Sequence, residues 1–168
     1  MEEKAKYRAT VVFLRKKNEI LLGRKTRGIG KGRLNGPGGG IEEGETPRES
    51  GARETFEETG IKVLPENLET IAIVYFHNIR DGAEKFICRC VVFSAREWEG
   101  KFRNTEELAE QGWRDAENLP LDEMMASDRE WLPVALKKKI IAHSYIGENQ
   151  ATLIKPTEIQ EVDFFPED

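Results

Sequence analysis

The chain of 168 residues has only two cysteines, Cys88 and Cys90, and two histidines. Residues two apart on a strand point to the same side and pair poorly, so a disulfide framework is excluded. With no second cysteine pair, a zinc site of the usual spacing is excluded too, and core packing accounts for both thiols. No apolar run approaches membrane-spanning length, and the start Met1-Glu2-Glu3-Lys4-Ala5-Lys6 has no apolar signal core. The resulting expectation is a cytoplasmic protein in a reducing compartment, with no membrane partner. Excess positive charge is also missing. Lys and Arg total 26 against 31 Asp and Glu, a net charge of -5, which gives no field to hold duplex nucleic acid. A small nucleotide remains a suitable partner, because one anion needs only local positive charge or a bound metal. The length fits a single domain over 1–168, with a core from about residue 5 to 164, expected to be a monomer.

Against these absences stands a dense acidic segment. Thr46-Pro47-Arg48-Glu49 reads as a helix start: Thr46 caps, Pro47 takes the first helical position, and Glu49 completes the capping box. Gly60 ends the same helix. Between them Ala52 and Phe56, four apart, are expected to anchor the inner face, while Glu54, Glu57 and Glu58 crowd one edge. Carboxylates so placed repel one another unless a cation neutralises them, and a hard divalent ion fits best. The competing reading is a solvated acidic helix, but a random acidic face needs neither Gly36-Pro37-Gly38-Gly39-Gly40 before it nor a capped entry and glycine exit.

Elsewhere, Tyr7 to Leu14 and Glu19 to Leu22 read as a hairpin, and Gly23 to Gly40 as a long surface loop. Leu68 to His77 and Lys85 to Ala95 read as paired strands joined at Arg80-Asp81-Gly82-Ala83. Glu99 to Glu110 reads as loop, and Ser127 to Ala142 as largely helical through Trp131, Leu132, Ala135, Leu136 and Ile140, with Pro133 blurring its start. The segments Ala151 to Ile154 and Glu158 to Val162 suggest a final hairpin.

From Gly39 through Glu45 to Arg53-Glu54-Thr55-Phe56-Glu57-Glu58-Thr59-Gly60, the segment resembles the signature of the Nudix hydrolases, with Thr55 where an aliphatic residue is usual. The resemblance implies an α/β fold: a curved mixed β-sheet flanked by helices, as an α/β/α sandwich. It also implies hydrolysis of a nucleoside diphosphate derivative with Mg2+, for which Mn2+ can substitute. Glu54, Glu57 and Glu58, a carbonyl near Gly39, and Glu107 are the implied ligand set, with Glu107, or Glu106 close behind it, alternatively handling a proton. Arg53 braces a carboxylate rather than touching substrate first.

The stretch Lys25 to Gly39 and the run Leu119 to Trp131 are similar to the oxidised-purine nucleoside triphosphatases of that family. The similarity implies that Asn35 and Asp128 read the purine edge, against simpler roles in a turn and a helix cap. Met125 stands where a base-stacking tryptophan is implied, and Ser127 replaces the first of two aspartates, so selectivity is expected to be broader or differently directed. Phe76 and Trp131 are candidates to line the same recess or simply the core, and Lys25 and Arg27 to steer phosphates or remain solvated. The activity so implied is conversion of triphosphates such as 8-oxo-dGTP or 2-hydroxy-dATP to monophosphate and pyrophosphate. Hydrolysis of another nucleotide derivative, or nucleotide binding without turnover, are the alternatives.

Overall fold

The computed structural model describes residues 5–148 and 151–166; the first four residues, read above for a targeting signal, lie outside them. Strands β1 (Ala5–Lys16) and β2 (Glu19–Lys25) form the expected hairpin, tightened by Lys17 at φ 55°. The stretch read as a long loop holds more structure: β2 runs on to Lys25, and two short strands follow, β3 (Leu34–Asn35) and β4 (Gly38–Gly40). Strands of two and three residues are too short to show a period. β5 (Glu69–Arg80) and β6 (Ala83–Ala95) pair antiparallel as expected, and β7 (Leu108–Asp115) begins inside the stretch read as loop, which ended at Glu110, and runs on past it.

Helix α1 (Pro47–Thr59) starts where the capping signals say: the Glu49 N–H donates to the Thr46 hydroxyl at 3.1 Å. It stops at Gly60, whose φ of 80° is the left-handed conformation that favours glycine. Its inner face differs from the expectation. Phe56 is turned outward and 53% exposed, because the helix approaches the sheet at Gly51, where an added Cβ would lie 3.1–3.2 Å from Leu68, Phe93 and Val12. That approach buries Thr55 beside Glu54 and Glu58. The Thr55 hydroxyl donates to the Gly51 carbonyl at 2.7 Å, so burying it leaves no polar group unpaired.

The second helix, α2 (Asp128–Ala135), is shorter than its apolar stripe suggested. Pro133 lies inside it and removes one backbone donor. After Lys137-Lys138-Lys139 the chain becomes a strand, β8 (Ile140–Ile146), whose side chains alternate between buried and half-buried. The two tail segments are one strand, β9 (Leu153–Glu161), paired with β8 rather than folded on itself. Pro156 is tolerated because β9 is an edge strand.

The sheet is mixed and flanked by the two helices, but the expected curling is corrected. Its strands follow one open path, β3-β2-β1-β6-β5-β8-β9, with β4 branching from β1 and β7 from β2. β1 meets β2 only at Arg15↔Ile20 and Lys16↔Glu19, then turns its length to β4 and β6. The sheet forks instead of curling. One apolar cluster, including Phe13, Val74, Val92, Trp131 and Leu132, packs under α2; the other, including Val12, Leu68, Val91 and Phe93, packs under α1.

Candidate active site

Glu54 and Glu58 lie one turn apart on the buried side of α1, and Glu107 stands just before β7. One carboxylate oxygen from each lies within 4.8 Å of the others, a set of hard oxygen donors that can coordinate a divalent cation. The β4 strand closes this centre from below. The Gly38 N–H donates to Glu58 at 2.9 Å, and a Cβ on Gly39 would sit 2.6 Å from a Glu54 oxygen. Only glycine leaves that carboxylate its place. Burial, with Glu54 alongside, pushes the Glu58 carboxyl up to about 8, while the Gly38 N–H and Lys25 pull it down.

Arg53 is the brace of the centre. It grips Glu45 with two bonds of 2.6 and 3.0 Å, and reaches Glu54 at 3.1 Å, Glu57 at 3.2 Å and the Gly40 carbonyl at 3.2 Å. Its guanidinium holds Glu45 below the ordinary carboxylate range. Glu57 thus stands on the outer flank of the cluster, half-exposed and paired to Arg53. Glu107 is paired to Arg27 at 2.7 Å. The neighbouring Glu106 offers only its backbone carbonyl, to the Thr26 hydroxyl.

Beside this centre lies a recess of about 340 Å³, and Lys25, Asn35, Phe76, Met125, Asp128 and Trp131 all line it. Larger hollows of about 760 and 730 Å³ elsewhere contain none of these residues, so chemistry rather than size marks the site. Asn35 Oδ1 accepts from the Gly36 N–H at 2.8 Å. That is the turn role, and it leaves the amide nitrogen for another partner. Asp128 accepts from the Met125 N–H at 3.1 Å and is otherwise enclosed, so burial pushes its carboxyl up to about 7. The Trp131 indole pulls the other way, yet its N–H is buried without a hydrogen bond of full geometry among the described residues. Trp131 meets Phe76 edge-on at 6.5 Å. Gly30, with φ 84°, passes so close to the Met125 methyl that no side chain fits between them.

Cys88 and Cys90, read as core, also line the recess. They pair with Phe76 and Val74 across the sheet, so the period-two pattern carried the signal. Burial pushes the Cys88 thiol up to about 11, far from a reactive thiolate. Ile29 at the lip and the Arg27–Glu107 pair had no signal in the local sequence. His77 and His143, 2.8 Å apart, bond to each other outside this site.

A model of the NUDIX domain matches residues 4–135. The oxidized purine nucleoside triphosphate hydrolase of Mus musculus is 31% identical over 156 residues, covering 93% of this chain and 96% of that protein. The protein of the same name from Danio rerio is 35% identical over 130 residues, covering 77% and 80%. Among solved structures, a MutT protein from Bacillus halodurans superposes with a TM-score of 0.75 at 25% identity, covering 91% of this chain and 97% of that one. A MutT protein from Methanosarcina mazei, 24% identical with a TM-score of 0.64, shares the fold. The acidic centre held by α1 thus sits in a chain that belongs to the Nudix family and is a nucleotide pyrophosphohydrolase.

Proposed function

We propose that this enzyme hydrolyses oxidised purine nucleoside triphosphates, such as 8-oxo-dGTP or 2-hydroxy-dATP, to the monophosphate and pyrophosphate, removing damaged precursors from the nucleotide pool. The observation that carries the reading is the shared floor of the two sites. Gly38 and Gly39 line the recess and also touch Glu58 and Glu54, so a base held in the recess extends its phosphates toward the carboxylates. The names of the two vertebrate relatives support the substrate class.

Glu54, Glu58 and Glu107 would hold Mg2+, with Glu57 joining from the outer flank if it exchanges Arg53 for the cation. The cation would offset phosphate charge and lower the pKa of the attacking water. The chain supplies the rest. Arg53 fixes Glu54 and Glu57, Lys25 adds positive charge at the recess wall, and Asn35 presents its amide donors to the purine edge. Asp128, protonated near neutrality, donates to an acceptor on the base, and ionised it accepts from a donor. Met125 covers the base with a flexible, polarizable surface in place of a rigid ring, which favours tolerance of more than one altered purine. The enzyme is proposed to act as a single-domain monomer in the cytoplasm; no helix among the described residues is long and apolar enough to cross a membrane.

The test is a panel of 8-oxo-dGTP, 2-hydroxy-dATP, O6-methyl-dGTP and the unmodified dNTPs with product separation. Preference for altered purines, with pyrophosphate released, is expected. Equal efficiency on every triphosphate would contradict a damage-reading recess, and absence of product would favour a binder. Glu107→Gln separates the two roles of that residue: weaker metal binding with full rate at saturating metal makes it a ligand, and a lost rate makes it the proton acceptor.

A further inference from the structure

A second recess of about 730 Å³ lies at the tip of the β1–β2 hairpin and shares no lining residue with the recess beside the acidic centre. Its wall is aromatic. Trp98 and Trp113 stack with centroids 5.6 Å apart and planes at 20°, and Phe102 meets Trp113 edge-on at 6.5 Å. Its rim is cationic: Arg15, Lys16, Lys17, Arg96 and Lys101 all line it, and no acidic residue does. Lys16 Nζ stands 5.9 Å from the centre of the Trp113 ring.

The bland reading is a satellite of the core under α1 with solvated lysines around it. Two observations exceed it. First, the chain as a whole is acidic, with a net charge of -5, and Arg24, Arg27 and Arg53 are each paired with glutamates. Among the described residues, none of the five cations here has a carboxylate ion-pair partner. Second, Arg15 and Arg96 repel each other, and their hydrogen bonds go to the carbonyls of Leu136 and Lys17, at 3.2 Å each. The Arg15 guanidinium itself bonds the Leu136 carbonyl, which lines a neighbouring hollow with Glu66, Glu69 and Glu97, so the cations that serve this recess are Lys16, Lys17, Arg96 and Lys101. Like charges gathered without a counter-charge are costly unless an anion completes them.

We propose that this recess binds a single nucleotide, its base against Trp98 and its phosphate among Lys16, Lys17, Arg96 and Lys101. Trp113 is already enclosed by Trp98, Phe102 and Lys16, so Trp98 is the ring left to receive a base. Stacking gives affinity without strict base choice, since every base has a π-face. The volume suits one nucleotide, and the overall negative charge opposes a long polyanion. The inference is independent of the substrate assigned above.

The test follows the indole N–H signals of Trp98, Trp113 and Trp131 by NMR while AMP is titrated into the full chain in EDTA. Trp98→Phe assigns its signal. Saturable shifts of the Trp98 and Trp113 signals are expected, with the dissociation constant raised about tenfold or more in R96E/K101E by loss of the charge-assisted contacts. Both substituted side chains are exposed, and this variant keeps the hydrolytic rate and melting temperature. Shifts confined to Trp131, or the same affinity in the variant, would overturn the proposal. Inorganic pyrophosphate binding as well as AMP would make this an anion site without a base, and a thymidine decamer binding tenfold tighter would make it a single-strand site; either result overturns the nucleotide assignment.

Discussion

Glu58 and Asp128 are both buried carboxyls pushed toward neutrality, and their surroundings give them opposite work. Glu58 has a second carboxylate beside it, a third within reach and a backbone N–H on one oxygen, an environment that a cation can complete. Asp128 has one backbone N–H and apolar, sulfur and indole neighbours, an environment that a polar group of a ligand in the recess can complete. Burial sets how far each pKa moves; the neighbours decide whether metal or ligand resolves it.

The comparison breaks most sharply at Glu58. Glu58→Gln keeps the shape and removes the charge, and kcat should fall about a thousandfold for every nucleotide alike, as expected for loss of a metal ligand. A loss that varied with the base would blur the division between the two sites. Gly39→Ala should act next most strongly, lowering kcat about a hundredfold by displacing the Glu54 carboxylate, with a small change in melting temperature. Gly38→Ala should instead unfold the protein, because its Cβ would lie 2.1 Å from the Thr10 carbonyl oxygen. At the other carboxyl, Asp128→Asn should change kcat/KM by about ten- to a hundredfold for altered purines and less for the others, measured as ratios across the panel.

The smallest effect sharpens the shared physics. Asp128 holds its proton up to about 7 when folded, against 3.8 when unfolded, and Glu58 up to about 8 against 4.5. Between each pair of values the native state binds more protons, so stability falls as pH rises, and the loss is complete above the folded value. In EDTA the melting temperature should therefore drop by a few degrees from pH 5 to pH 8. Asp128→Asn should flatten part of that slope, and added Mg2+ should recover stability at pH 8 more than at pH 5. An unchanged slope in Asp128→Asn would mean that Asp128 ionises normally.

The local signals were legible and the distant ones were not. Thr46, Pro47, Glu49 and Gly60 fix α1 through contacts within one turn, so its ends could be read directly. The direction of Phe56 could not, because it depends on how close Gly51 comes to Phe93 and Val12. The strand β8 was hidden inside a helical period, since Leu136 and Ile140 continue the stripe of Trp131 and Leu132; its alternation shows only once the chain leaves α2. At the site, the spacing of Glu54 and Glu58 carried their pairing, whereas Glu107 and Arg27, 80 residues apart, meet only through the approach of β7 to β2. Asn35 and Asp128 were singled out by family resemblance alone, and the fold brings both to the recess; the place of Cys88 and Cys90 there followed from a strand alternation that was read as core alone.

The most direct measurement is a Mn2+ titration followed by electron paramagnetic resonance, with and without a nonhydrolysable nucleotide, on the natural chain and on Glu58→Gln. The account predicts bound Mn2+ in the natural chain, tightened by the nucleotide, and binding weakened at least tenfold in the variant. Equal binding in both, or none in either, would contradict a cation held by Glu54, Glu58 and Glu107.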